Sequence, residues 1–416
     1  MKSDEAQGKE REDSKPLDFV LNKTLSLKTK KTIRSAIIVL TDQGLVTGKR
    51  ILETFQEHKV RGITITESAF LFDNPVEPEL WIHKKCDVSQ MIRKKYNCHN
   101  FERLSEILPD LWREAFLLIF VMAAGIVVRQ IASLIQRKDC DPAVLVLDEK
   151  GQFVISLLSG HLGGANAWTQ ELADRLGAQP VITTATDVHG LIAPDEYARR
   201  LVWTVEPLSG VKSVNRYLLD KGQLKIWSEI HLSPEHPLKK DKHYYFVSAE
   251  EKETAQIWVT PFSRPLRGKE KIPNEKEEKL PWLILVPRAL CIGVGSRRGI
   301  SKEKVLEAIQ ASLTKIKATD QSILGIFSID IKQNEAGIVE AAQELGVPFQ
   351  SFTASEIQNA VNRQELSRSE FVKEKIGVDG VCEAASLLGT KQGELILPKQ
   401  IRNGVTVAIS MERSLS

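Results

Sequence analysis

A hydroxyl, an imidazole and a carboxamide fall within the stretch Ser159-Gly160-His161-Leu162-Gly163-Gly164-Ala165-Asn166, directly after the apolar run Phe153 to Leu158. Strand, glycine turn, helix is how α/β proteins present backbone N–H groups to an anion. Gly163 and Gly164 keep side chains out of the path of a carboxylate, and a helix start adds the favourable end of its dipole. The plainer alternative is a tight turn that binds nothing, since glycine pairs are common in turns. His161 has an ordinary pKa of about 6.5 and is the group best suited to move a proton near neutral pH. A histidine that only hydrogen-bonds the turn is its bland counterpart. Ser159 could act as a nucleophile with His161 as its base, but a nucleophile elbow has glycine two residues to either side, where this chain has Leu157 and His161. Water activated by His161, with Ser159 and Asn166 as orienting donors, is the preferred reading.

Other candidates surround this one. Thr183-Thr184-Ala185-Thr186-Asp187 closes a second strand, so the hydroxyls of Thr183, Thr184 and Thr186 and the Asp187 carboxylate can share the sheet edge with His161. Asp187 would orient the imidazole or accept a proton; equally it would cap a short helix. Arg129 follows a glycine-led helix start and suits a substrate carboxylate, or simply solvent. Gly293, Gly295, Arg297, Arg298, Gly299 and Ser301 form a basic glycine loop. The loop has one residue too many for a dinucleotide fingerprint, and the next acidic strand end, Asp330, lies too far on. It suits polycarboxylate capture better, and Asp330, Lys332 and Glu335, where a strand meets a helix, read as a cap and a salt bridge, with a catalytic cluster as the alternative. His83-x-x-Cys86 and Cys98-His99 lack the paired spacing of a zinc ribbon, so no protein metal site is expected.

These residues need elements to position them. Arg34 to Leu40, Leu117 to Met122, Ala143 to Leu147, Gln152 to Leu158 and Pro180 to Thr184 read as strands, with Asp148-Glu149-Lys150-Gly151 as a hairpin turn. Helical patterns run from Gly48 to His58, from Ile126 to Gln136, and after His161, where Trp168, Leu172, Ala173 and Leu176 share a face and Gly177 is the stop. The fold class is α/β: an N-terminal α/β domain with an antiparallel hairpin (31–201), a small mixed middle domain (202–263) and a C-terminal α/β domain (281–416). The charged, aromatic-poor residues 1–30 read as a disordered tail, and 264–280, with Pro265 and Pro273, as a linker. The third domain is read as opening with a strand from Trp282 that ends at Val286 or runs beyond it as far as Val294, and continuing through a helix from Lys302, a strand Ile323 to Ile329, a helix Ala336 to Leu345 and a strand Pro348 to Phe352.

Composition excludes several classes. With 416 residues, 42% of them hydrophobic, the chain fills two or three cores, and a net charge of +3 gives no general reason to expect nucleic acid. The longest apolar run, Leu117 to Val128, is well short of the roughly 20 residues that span a bilayer, and the N-terminus lacks a signal h-region, so no membrane is expected. Five cysteines without a C-x-x-C pair agree with a reducing, cytoplasmic location.

Four ordered motifs carry a resemblance: Gly125-Ile126-Val127-Val128-Arg129, Asp141-Pro142-Ala143-Val144, Ser156 to Asn166, and Val181-Ile182-Thr183-Thr184-Ala185-Thr186-Asp187. Together they resemble the N-terminal region of the cobalt-precorrin-5A hydrolase family of anaerobic cobalamin biosynthesis. Gly293 to Ser301, Asp330-Ile331-Lys332, Glu335 and the late strand Val405 to Ile409 resemble that family's C-terminal domain, with Ser296 where cysteine is expected. The resemblance implies a cobalt-bearing tetrapyrrole as substrate, hydrolysis of its δ-lactone, and release of the two-carbon unit as acetaldehyde to leave cobalt-precorrin-5B. Cobalt then arrives with the substrate and no separate cofactor is implied. The catalytic candidates are His161, Ser159 and Asp187. The substrate-binding candidates are Arg129, Gly163, Gly164, Asn166, Thr183, Thr184, Thr186, Gly293, Gly295, Arg297, Arg298 and Ser301. Octapeptide, second strand end and basic loop are expected to wall one larger pocket. A corrinoid-binding or scaffolding protein without chemistry, and a nucleotide-using α/β enzyme, are the other classes; channelling with other cobalamin-pathway enzymes and a homo-oligomer stay open.

Overall fold

The computed structural model describes residues 34–61, 78–137, 140–263, 280–364, 366 and 378–415. The expected tail and all but the last residue of the expected linker lie outside the described residues.

The first sheet holds seven strands in the order β3-β2-β1-β4-β5-β6-β7. They are β1 (Ser35–Val39), β2 (Glu79–His83), β3 (Cys98–Phe101), β4 (Leu117–Val121), β5 (Ala143–Leu147), β6 (Phe153–Leu158) and β7 (Gln179–Val181). Every neighbouring pair is parallel except β5 and β6, the expected hairpin. β1, β4 and β5 are buried at every residue, which is why they read as unbroken apolar runs: helices cover a parallel sheet on both faces. Leu45, Ile51, Leu52 and Phe55 of the Asp42–Arg61 helix and Trp168 and Leu172 of the Ala165–Leu176 helix cover one face. The Leu104–Glu114 and Ala124–Ile131 helices cover the other with Leu108, Leu111, Val127 and Ile131. The Ala165–Leu176 helix ends, as its sequence requires, at Gly177 with φ 66°.

The middle sheet comprises β8 (Thr204–Glu206), β9 (Leu224–Ser228), β11 (Tyr244–Phe246), β12 (Ile257–Val259) and β13 (Leu283–Val286), in the order β11-β9-β12-β13-β8. The third comprises β14 (Leu290–Ser296), β15 (Ile323–Ile329), β16 (Phe349–Phe352), β17 (Gly393–Arg402) and β18 (Val405–Glu412), in the order β16-β15-β14-β18-β17. A two-stranded pairing of β10 (His231–Leu232) with β19 (Ser414–Leu415) ties the chain's last strand to the middle unit. Among the described residues no helix is long and apolar enough to cross a membrane.

The α/β class, the hairpin and the mixed middle sheet are as expected; the two boundaries of the middle unit are not. The run Trp282 to Val294 is two strands. β13 pairs with β12 and β8 and buries Leu283 and Leu285 in the middle core, whereas β14 pairs with β15 and β18. The chain therefore changes sheets between Val286 and Leu290, beyond the expected residue 281. At the other end, Tyr197 and Ala198 of the Pro194–Arg200 helix pack with Val205 and Val211, so this helix belongs to the middle core although the boundary was expected after 201.

β14 is crossed closely by the Cys382–Leu388 helix. A Cβ on Gly293 would overlap the Cys382 carbonyl and lie 2.8 Å from the Ser386 nitrogen. Both are backbone and cannot swing aside. Gly293→Ala is expected to destabilise the protein by about 2 kcal/mol or more, read as a lowered urea midpoint.

Candidate active site

β6 and β7 are parallel neighbours, so their carboxyl ends open on the same sheet edge. The turn after β6 is tightly folded. Ser159 is left-handed at φ 60° and Gly164 at φ 84°. A Cβ on Gly163 would lie 2.7 Å from the Ser159 carbonyl oxygen, and one on Gly160 would lie 2.7 Å from Asn166 Oδ1. The N–H groups of Gly164, Ala165 and Asn166 donate to the carbonyls of His161, Ser159 and Gly160. The expected anion cradle is therefore corrected at these donors: the turn closes on itself, and its glycines serve to bring His161 and Asn166 together.

His161 stands between two carboxylates. Its Nε2 is 3.0 Å from Asp187 Oδ2 and its Nδ1 3.4 Å from Asp195 Oδ2. Thr186 Oγ1 lies 3.1 Å from the same Nε2. The ring is 13% exposed, Asp195 3% and Asp187 34%. Burial disfavours the charged ring, but hydrogen bonds to Asp187 and Asp195, backed by their charges, outweigh it and raise His161 to about 10. Burial likewise opposes ionised Asp187, yet the bonds from His161 and Thr184 hold its pKa below the usual carboxylate value. At neutral pH the pair is imidazolium and carboxylate. The expected base is thus a proton donor, because both its nitrogens face acceptors.

Asn166 supports this pair. Its amide donates to Thr184 Oγ1 at 2.7 Å and Asp187 Oδ2 at 3.0 Å, its carbonyl oxygen accepts from Ser156 Oγ at 2.7 Å, and Thr184 donates to Asp187 Oδ2 at 2.7 Å. Asn166 and Thr184, expected as substrate contacts, hold the catalytic candidate Asp187 in place. Ser159 Oγ donates to the Asp141 carbonyl at 3.3 Å, which turns it away from the nucleophilic pairing. Thr183 is exposed beyond β7. Arg129 is exposed and folds back onto the Gly125 carbonyl of its own helix at 2.9 Å.

The basic loop belongs to a different place. Gly295, Arg297 and Arg298 line a cleft of about 1360 Å³ whose every lining residue lies between Gly295 and Thr406. The single larger pocket is therefore corrected to two sites: among the described residues, none of the SGHLGGAN turn lines this cleft. Gly293 is packed beneath the Cys382–Leu388 helix, and Ser301 precedes the Lys302–Lys315 helix as its N-cap residue. Glu335 accepts from the N–H groups of Gly299 and Ile300 at 2.7 and 3.2 Å and pairs with Lys332 at 2.9 Å, so it already fills the loop's anion position. Arg297 and Arg298, both exposed, put positive charge at the cleft, and Lys399 also lines it.

Asp195 is the residue that sequence reasoning missed. Ala193-Pro194-Asp195-Glu196 reads only as a helix start, with proline and acids in the first turn, and nothing in its spacing points to His161. A histidine whose folded pKa lies above its unfolded value of about 6.5 contributes stability that is full below pH 6.5 and is lost as pH rises through the folded value, here about 10. The wild-type urea midpoint is expected to fall between these limits, and this slope to be absent in His161→Gln. Imidazole NMR of His161 is expected to titrate near pH 10.

The family description Cobalamin synthesis G N-terminal matches residues 106–187, Cobalamin biosynthesis central region 192–287 and Cobalamin synthesis G C-terminus 290–410. A cobalt-precorrin-5A hydrolase of Priestia megaterium is 31% identical over 73% of this chain and 81% of its own length. The cobalt-precorrin-5A hydrolase of Salmonella typhimurium is 34% identical over 71% and 81%. Among solved structures, a cobalamin biosynthesis protein G homologue of Sulfolobus solfataricus covers 91% of this chain and 97% of its own, with 20% identity and a TM-score of 0.34. The central match begins and ends close to where the chain enters and leaves the middle sheet, and the N-terminal match contains both His161 and Asp187. On this coverage and identity, the chain belongs to the cobalt-precorrin-5A hydrolase family.

Proposed function

We propose that this protein opens the δ-lactone of cobalt-precorrin-5A and releases the two-carbon unit as acetaldehyde, giving cobalt-precorrin-5B in anaerobic cobalamin biosynthesis. The observation that carries the reading is the imidazolium of His161 held against the part-exposed carboxylate of Asp187 at a strand-end edge, inside the segment that matches the family's N-terminal description. Relatives 31% and 34% identical to this chain are named as hydrolases of that compound.

Lactone opening needs a base for water and an acid for the departing alkoxide. Asp187, ionised at neutral pH and a third exposed, takes a proton from water as its oxygen adds to the lactone carbonyl. His161 gives its Nε2 proton to the ring oxygen as the C–O bond breaks. The proton on Asp187 then crosses the 3.0 Å contact to His161, and both groups are restored. The freed alcohol loses its proton in turn, the C–C bond to the macrocycle breaks as the aldehyde carbonyl forms, and the electron pair left on the ring carbon takes up a proton. Asp187 is placed to accept the alcohol's proton.

The substrate is a flat apolar disc fringed with carboxylates, with cobalt as part of the substrate. The C-terminal cleft, apart from His161 and Asp187, offers a second surface suited to holding such a disc, with Arg297 and Arg298 at the rim and Ile329, Ile331 and Val361 along the walls. A cytoplasmic location belongs to the same proposal, which five free cysteines suit.

Anaerobic incubation with cobalt-precorrin-5A, with acetaldehyde as the readout, tests the reaction. His161→Ala and Asp187→Ala are expected to lower turnover by about 10²- to 10⁴-fold, and Ser159→Ala to retain most of it. No acetaldehyde from the wild-type chain with active substrate would sink the hydrolase reading. Replacing Arg297 and Arg298 together by glutamate is expected to weaken substrate binding, followed by its visible absorbance, at least about tenfold, because two charge-assisted contacts become repulsive.

A further inference from the structure

The reaction above leaves unused a buried carboxylate that touches His161. The Pro194–Arg200 helix is part of the middle unit, where Tyr197 and Ala198 pack with Val205, Val211 and Leu283. From its first turn Asp195, buried, reaches the N-terminal unit and sets Oδ2 3.4 Å from His161 Nδ1. Its other oxygen accepts a hydrogen bond from Asn215 Nδ2 at 2.9 Å, and Asn215 sits on the Val211–Lys221 helix of the same middle unit. A carboxylate removed from water is unfavourable unless it is both paired and hydrogen-bonded. Asp195 meets the two conditions with one partner on each side.

The two acids that flank His161 are not equivalent. Asp187, on Nε2, is open to a substrate; Asp195, on Nδ1, is enclosed by protein. These two are also the charged groups that act on the ring. Glu196, the next residue on the helix, is turned to Arg199 and Arg200.

We infer that Asp195, anchored by Asn215, is a positioning residue that orients the His161 ring toward Asp187 and the substrate, so that the middle unit completes the proton-transfer site of the N-terminal unit. The catalytic half of this inference rests on the hydrolase reading; the orientation of the ring stands on the geometry. The logic is that of any acid–base pair in which a third group fixes the ring from behind.

Asp195→Asn is the test. The Oδ1 of Asn215 is buried without a hydrogen bond, so its amide can turn to accept from the new one, which favours a folded variant. The kcat for acetaldehyde release is expected to fall at least about tenfold, with KM unchanged because Asp195 does not touch substrate. The alkaline limb of kcat is expected to move down from near pH 10 by about one pH unit or more, and the His161 NMR titration to move with it. Asn215→Ala shifts the same readouts in the same direction by less, and supplies them should Asp195→Asn not fold. A fall in thermal stability alone, with kcat, limb and titration as in wild type, overturns the inference. If the wild-type chain makes no acetaldehyde, the hydrolase reading fails; the His161 titration in Asp195→Asn then decides the positioning role, a downward shift supporting it and no shift overturning it.

Discussion

An imidazolium withdrawn from water must be met by counter-charge, and the arrangement around His161 follows from that requirement. One carboxylate would suffice to hold a proton on the ring. Two, on opposite nitrogens, also fix the plane in which the ring lies, because each N–H has a single acceptor direction. The cost of burying these charges is offset by a polar network in which Asn166 and Thr184 converge on one oxygen of Asp187. Its completeness marks the site as rigid, with the partly exposed side of Asp187 left for a reactant.

The fold supplies this network from three directions. β6 delivers the glycine turn, the segment after β7 delivers Thr184, Thr186 and Asp187, and the middle unit delivers Asp195. The first two meet because β6 and β7 are parallel neighbours joined by the Ala165–Leu176 helix, a right-handed crossover being the usual solution for such strands. The third depends on how the middle unit docks; the apolar inner face of the Pro194–Arg200 helix fixes Asp195 on that unit's side. The C-terminal unit contributes elsewhere, with a separate basic cleft whose glycine loop is braced by Glu335.

Much of this was legible in the residues. Strands buried along all or nearly all their length announce themselves as apolar runs, so β1, β4, β5 and β15 were readable. Phase on the Ala165–Leu176 helix and the stop at Gly177 were readable for the same reason. β2 and β3 were not, because Trp81, His83 and His99 interrupt the apolar pattern with side chains that pack through ring edges and faces. The boundary near 282 was misplaced because β13 and β14 are both apolar and separated only by a short turn; composition cannot say which sheet a strand joins.

The sequence by itself determined the α/β class, the glycine turn with His161 at a strand end, and the companionship of His161 with Asp187, since both lie at the ends of strands that short crossovers make neighbours. It could not determine the protonation of His161, which depends on Asp195, a residue brought close only when the middle unit docks. Nor could it show that Ser159 turns to the Asp141 carbonyl, or that Glu335 occupies the loop of Gly299 and Ile300. Charge state and hydrogen-bond partners are properties of proximity in space, and proximity between segments distant along the chain is set by the packing of whole units.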